Sequence, residues 1–256
     1  MLVESLHWNG IPILHIVNSE EDYPKRPTVL FLHGFTSAKE HNLHYAYNLA
    51  NKGFRVLLPD AHLHGERSEN LDEVQLSLRF WEIVLTTLEE IPAIRTKLME
   101  QGLADESTPF GLAGTSMGGI ETLGALTAYP WIDAAAVMMG SPGYVELAKA
   151  QIAQFENRGF KLPITDVERK GIFTALERFD LTKQSEKLAN RPVFFWHGEQ
   201  DTVVPFAPTH HFFQAMKERY PEESKWQFMR DRMAGHAVSR AGMLASVDFL
   251  AEHLSE

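Results

Sequence analysis

Residues 110–129 read Phe-Gly-Leu-Ala-Gly-Thr-Ser-Met-Gly-Gly-Ile-Glu-Thr-Leu-Gly-Ala-Leu-Thr-Ala-Tyr. The apolar run 109–113 has the length and composition of a buried strand, and a stretch of small residues suited to a helix begins at Gly119. Ser116 therefore falls on a strand-to-helix turn. Gly114-Thr-Ser-Met-Gly118 fits G-x-S-x-G, a weak signal alone; its setting gives it meaning. A serine on a sharp turn holds its hydroxyl clear of the backbone, and glycines at 114, 118 and 119 let strand and helix approach closely.

Working outward, short apolar runs recur at 28–32, 55–58, 135–139, 193–196 and 226–229, with helical patterns at 40–52, 71–101, 117–129, 206–219 and 237–254. Strands alternating with helices imply right-handed crossovers and a mostly parallel sheet covered on both faces. At the start, runs 3–8 and 11–17 flank Asn9-Gly10, a dipeptide that accepts the positive φ values of a two-residue hairpin turn. That hairpin supplies an antiparallel edge. The whole chain, 1–256, reads as a single domain. One connection is too long: about fifty residues separate the strand ending near Met139 from the one starting near Pro192. Its helical patterns, 144–157 and 165–176, are divided by Gly159 and Pro163, so residues 141–180 read as a small helical insertion.

A serine hydroxyl is a poor nucleophile at neutral pH, so it needs a base and a carboxylate that fixes the tautomer of the base. Asp201, in the loop after run 193–196, and His236, in Ala234-Gly-His after run 226–229, follow the carboxyl ends of strands, where open α/β sheets gather their sites. Glu199 is the alternative acid; Asp201 lies closer to the Val203-Val204-Pro205 segment that ends the loop. Two backbone donors would face an oxyanion: the N–H of Met117 and that of Phe35, in the loop His33-Gly-Phe-Thr-Ser37. Asp60, His62 and His64, with His41 and His44, superficially offer metal ligands. They read better as a hydrogen-bonded loop at the rim of the sheet, and neither a metal nor a cofactor is expected.

The 256 residues carry a formal net charge of −10, 44% hydrophobic residues and no cysteine. The charge repels nucleic acid and anionic lipid, and the missing thiols exclude disulfides, thiolate metal sites and a cysteine nucleophile. The first 18 residues lack the basic start and unbroken apolar run of a signal peptide, and no stretch approaches the roughly 18 apolar residues of a membrane span. The expectation is a cytoplasmic protein acting on a small molecule, with neither nucleic acid nor membrane as partner.

Taken together, His33-Gly-Phe-Thr-Ser37, Asp60 through His64-Gly-Glu-Arg-Ser68, Gly114-Thr-Ser-Met-Gly-Gly119 and His197-Gly…Asp201…Val204-Pro205 resemble the bacterial α/β-hydrolase carboxylesterases related to the prolyl oligopeptidases, without their propeller. The resemblance implies an α/β-hydrolase fold and cofactor-free hydrolysis of short-chain carboxylic esters through an acyl-enzyme. It also implies nucleophile Ser116, acid Asp201, base His236 and oxyanion donors Phe35 and Met117. Hydrolysis of small peptides or amides, and a non-catalytic binding role, are the competing readings. The insertion would be a lid that limits acyl length, with Tyr144 and Phe155 facing the substrate and rates falling steeply by octanoyl.

Overall fold

The computed structural model describes residues 1–18, 25–159 and 164–255. Its strands are β1 (Leu2–Trp8), β2 (Ile11–Val17), β3 (Thr28–Leu32), β4 (Arg55–Pro59), β5 (Phe110–Thr115), β6 (Ala134–Met138), β7 (Val193–Gly198) and β8 (Trp226–Asp231). They form one sheet in the order β1-β2-β4-β3-β5-β6-β7-β8. The hairpin β1–β2 and the β2–β4 pair are antiparallel; every other pair is parallel. Asn9 and Gly10 both take positive φ, 53° and 80°, as the two-residue turn requires.

The helices are α1 (Leu43–Asn51), α2 (Glu73–Leu78), α3 (Phe80–Glu100), α4 (Met117–Ala128), α5 (Tyr144–Asn157), α6 (Asp166–Glu177), α7 (Phe206–Met216) and α8 (Arg240–Leu254). Strands β3, β4 and β6 are buried along their whole length, because helices cover both faces. Alternation along a strand divides the core: Leu30 and Leu32 face α3 and α4, while Val29 and Phe31 face α1 and α8. The pattern read as one helix over 71–101 is two. A capping box between Asp72 and Gln75 starts α2, and the backbone leaves helical geometry at Arg79 (φ −98°, ψ 8°) before α3 begins.

Helices α5 and α6 lie in the long connection between β6 and β7, where the sequence reads an insertion. Its ends are tied together, since the Leu181 N–H donates to the Pro142 carbonyl at 3.1 Å and the Val145 N–H to the buried Asp180 carboxylate at 3.0 Å. A Thr165–Glu168 capping box starts α6, and Arg169 bridges it to Glu156 of α5 at 2.9 Å. Pro163, read as a helix breaker, lies outside the described residues.

Candidate active site

Between β5 and α4, Ser116 takes φ 54° and ψ −113°, a conformation that costs a non-glycine residue of order 1–3 kcal/mol and persists only where its surroundings enforce it. The surroundings are glycines. A Cβ on Gly118 would stand 2.2 Å from the Leu32 carbonyl oxygen, and one on Gly114 would stand 2.4 Å from the Gly118 backbone. The turn is pinned further by the Ser116 N–H, which donates to the Met138 carbonyl at 2.9 Å.

The Ser116 hydroxyl lies 2.8 Å from Nε2 of His236, and Nδ1 of His236 lies 2.7 Å from Oδ2 of Asp201. The buried carboxylate acts as acceptor, so Nδ1 carries the proton and Nε2 is left to accept from the serine. Burial pushes the Asp201 carboxyl up, but hydrogen bonds from His197, His236 and the Val203 N–H outweigh it and hold Asp201 well below the usual carboxylate range. The loops bearing acid and base are joined: the Gln200 N–H donates to the Ala234 carbonyl at 3.1 Å, and Gly198 leaves room where a Cβ would stand 2.3 Å from that same oxygen. Glu199, the alternative acid, lies instead 3.6 Å from Arg230.

Phe35 lies in the loop after β3, and a Cβ on its neighbour Gly34 would stand 3.5 Å from the Ser116 Cβ. Neither the Phe35 N–H nor the Met117 N–H has a hydrogen-bond partner among the described residues, so both are free to bind an oxyanion. Two histidines hold that loop. His33 donates from Nδ1 to the Gly34 carbonyl at 2.8 Å and accepts the Ala61 N–H on Nε2 at 3.0 Å; His64 donates to the His62 carbonyl and accepts the Thr36 N–H at 3.0 Å. Burial lowers both, His33 to about 4, so each stays in the neutral form that this bonding needs. The supporting roles of His33, His64 and His197 were missed in the sequence, although all three sit in its His-Gly and Asp60–Ser68 motifs.

Asp60 is fully buried, accepting from the Lys39 ammonium at 2.6 Å and from the Lys39 and Glu66 N–H groups. This ion pair closes the rim loop. Among the described residues no group of three or more His, Asp or Glu side chains is arranged to hold a metal ion.

A cavity of about 880 Å³ opens beside Ser116, between α2 and α3 on one side and α5 and α6 on the other. Phe155 lines it. Tyr144 does not: its fully buried hydroxyl donates to the Ile120 carbonyl at 2.7 Å and its ring packs 5.1 Å from Trp81, so it braces α5 against α4 beneath the cavity. The wall from α2 and α3, including Leu78, Phe80, Trp81 and Leu85, was not foreseen; the adjacent aromatics Phe80-Trp81 were its one signal. Glu66, Glu69 and Glu146, which could have gripped the free amine of a peptide, pair with Lys39, Arg79 and Lys149, and none lines the cavity.

A mostly parallel sheet with a serine on a strained strand-to-helix turn, facing a histidine and a carboxylate, defines an α/β-hydrolase fold equipped for serine chemistry. Residues 40–256 match the model of the prolyl oligopeptidase family, and the chain belongs to that family. It is 47% identical to YitV of Bacillus subtilis (strain 168), a protein named as a candidate esterase, over 98% of this chain and 99% of the relative. It is 30% identical to Esterase YjfP of Escherichia coli (strain K12), again over 98% and 99%. TT1662 from Thermus thermophilus shares the fold, with a TM-score of 0.76 over the full length of both chains at 23% identity. The chain is a serine ester hydrolase, and its described residues contain no propeller.

Proposed function

We propose that Ser116, His236 and Asp201 act as a catalytic triad, and that the Phe35 and Met117 N–H groups bind the oxyanion. The 2.8 Å contact between Ser116 Oγ and His236 Nε2 carries this reading. His236 takes the hydroxyl proton as Ser116 attacks the ester carbonyl, and the carbonyl oxygen gains negative charge facing the two N–H groups. The imidazolium, stabilised by Asp201, then gives its proton to the departing alkoxide and leaves an acyl-serine. Water, deprotonated by the same histidine, attacks the acyl-serine to release the acid and restore the hydroxyl. Apart from the ester and the attacking water, every group in these steps is a side chain or backbone N–H of this chain.

In the same reading α5 and α6 form a lid over the acyl group, supported by their joined ends and their place above Ser116. Among the described residues no helix is long and apolar enough to cross a membrane. The esterase relatives support a small-molecule substrate, and the formal charge of −10 disfavours nucleic acid and anionic lipid as partners of what we read as a cytoplasmic protein. Treating the protein with a fluorophosphonate and mapping the modified peptide tests the assignment: Ser116 should be labelled stoichiometrically with parallel loss of esterase activity. Labelling elsewhere, or activity surviving full modification of Ser116, would contradict it.

A further inference from the structure

The cavity beside Ser116 is larger than a short acyl group needs. Taking a methylene as about the size of a water molecule, roughly 30 Å³ per non-hydrogen atom, butyryl fills about 150 Å³ and octanoyl to dodecanoyl roughly 270–390 Å³. The cavity measures about 880 Å³. Its walls are apolar, with Trp81 and Leu85 from α3 opposite Leu147 and Phe155 from α5 and Ile172 from α6. The charged lining residues Glu82, Glu89 and Arg158 are all exposed, hence at the rim, and none of the buried polar atoms left without a partner belongs to the wall. Leu78 and Val203, 47% and 63% exposed, mark an apolar mouth.

Which half of the ester enters follows from the base. His236 must reach the leaving oxygen, so the alcohol lies on its side of Ser116; the cavity is lined by Ser116, Phe35 and Ile120 but not by His236. Resting on the nucleophile assignment above, we propose that the cavity is an acyl site for medium-chain aliphatic groups of about eight to twelve carbons. The lid thus roofs a long acyl chain where the sequence suggested a lid that cuts the chain short.

Gly171 of α6 supplies the test. It lines the cavity, and a Cβ added there meets nothing within 4 Å, so a larger side chain has room at this wall. Leucine is also the better helix former. kcat/KM is measured for 4-nitrophenyl acetate, butyrate, octanoate and dodecanoate, with fluorophosphonate labelling of Ser116 and melting temperature alongside. In the wild type kcat/KM should rise about twofold to fourfold per methylene through octanoate, as each added group is taken out of water. Gly171→Leu should fold normally and lower the octanoate-to-acetate ratio by about tenfold or more, the loss of two or more buried methylenes. A wild-type kcat/KM that falls from butyrate to octanoate, or a ratio unchanged in Gly171→Leu, overturns the proposal; Ser116 labelled and acetate cleaved in that same experiment would leave the nucleophile assignment standing. With no labelling and no ester cleaved, both fail.

Discussion

Oδ2 of Asp201 lies 2.7 Å from Nδ1 of His236, while Oδ1 accepts the N–H groups of Val203 and Val204 at 2.9 and 3.0 Å. One oxygen is thus fixed by backbone so that the other can aim the imidazole. An amide at this position keeps the shape, removes the charge that stabilises the imidazolium and presents a donor to Nδ1 in one orientation. Asp201→Asn should reduce kcat by on the order of 10⁴-fold, and its melting temperature at neutral pH should fall as well, because the charge held by these hydrogen bonds also stabilises the fold. Glu199→Gln, which weakens the contact with Arg230 and leaves the Asp201–His236 pair untouched, should stay within about twofold of wild type. Steady-state kinetics on both variants decides between the two carboxylates, and a larger loss in Glu199→Gln would reject Asp201.

Tyr144→Phe removes one buried hydrogen bond, to the Ile120 carbonyl, and leaves the cavity walls untouched. Stability should fall by about 0.5–1.5 kcal/mol, since the Ile120 carbonyl loses this bond but keeps its place in the α4 ladder, and the acyl-length profile should keep its shape. Urea titration with the ester series checks this. An altered length profile at unchanged stability would put Tyr144 back in contact with substrate.

Much of this arrangement was legible in the sequence because backbone chemistry forced it. Asn9-Gly10 declares the hairpin through its φ angles, and the glycines around Ser116 declare a turn that side chains would block. The long connection that carries α5 and α6 between β6 and β7 was legible from length alone, since crossovers in such sheets are short. What escaped was lateral. The sequence puts Tyr144 on the substrate side of the insertion, but its helix has both a core side and a cavity side, and only packing against Trp81 and Gly124 tells them apart. The facing wall from α2 and α3 was hidden for a related reason: one periodic pattern conceals a break at Arg79, and nothing local says that Trp81 meets Gln151, seventy positions away, at 2.8 Å.

Glu121, one turn into α4, is fully buried, and burial pushes its carboxyl well above the usual carboxylate range, more than the nearby Thr87 hydroxyl can offset. In the unfolded chain it loses its proton near the ordinary value of 4.5. From there upward the native state holds the extra proton, so stability falls as pH rises until Glu121 itself ionises in the fold. Glu121→Gln removes that titration. The melting temperature of Glu121→Gln minus that of wild type should increase between pH 5 and pH 8. A difference that is flat or shrinking over this interval would mean that the carboxyl is ionised in the native state.

Gly118→Ala places a methyl group 2.2 Å from the Leu32 carbonyl oxygen, where neither backbone can yield cheaply. Stability should drop by about 1–3 kcal/mol or more, and turnover should fall with it, because the turn holding Ser116 must shift relative to the loop bearing Phe35. Denaturation midpoints and ester turnover measured together test the coupling. Wild-type values for both would show that the close approach of α4 to β3 is not needed.

Ser116→Ala bears on the nucleophile itself, because the change deletes one oxygen from a half-buried side chain whose backbone geometry is held by its neighbours. Initial rates of 4-nitrophenyl ester hydrolysis are compared with wild type at matched concentration of protein shown to be folded by its melting temperature. A fall of at least about 10³-fold with an unchanged melting temperature is the expected result. Turnover above about a tenth of wild type would contradict the account.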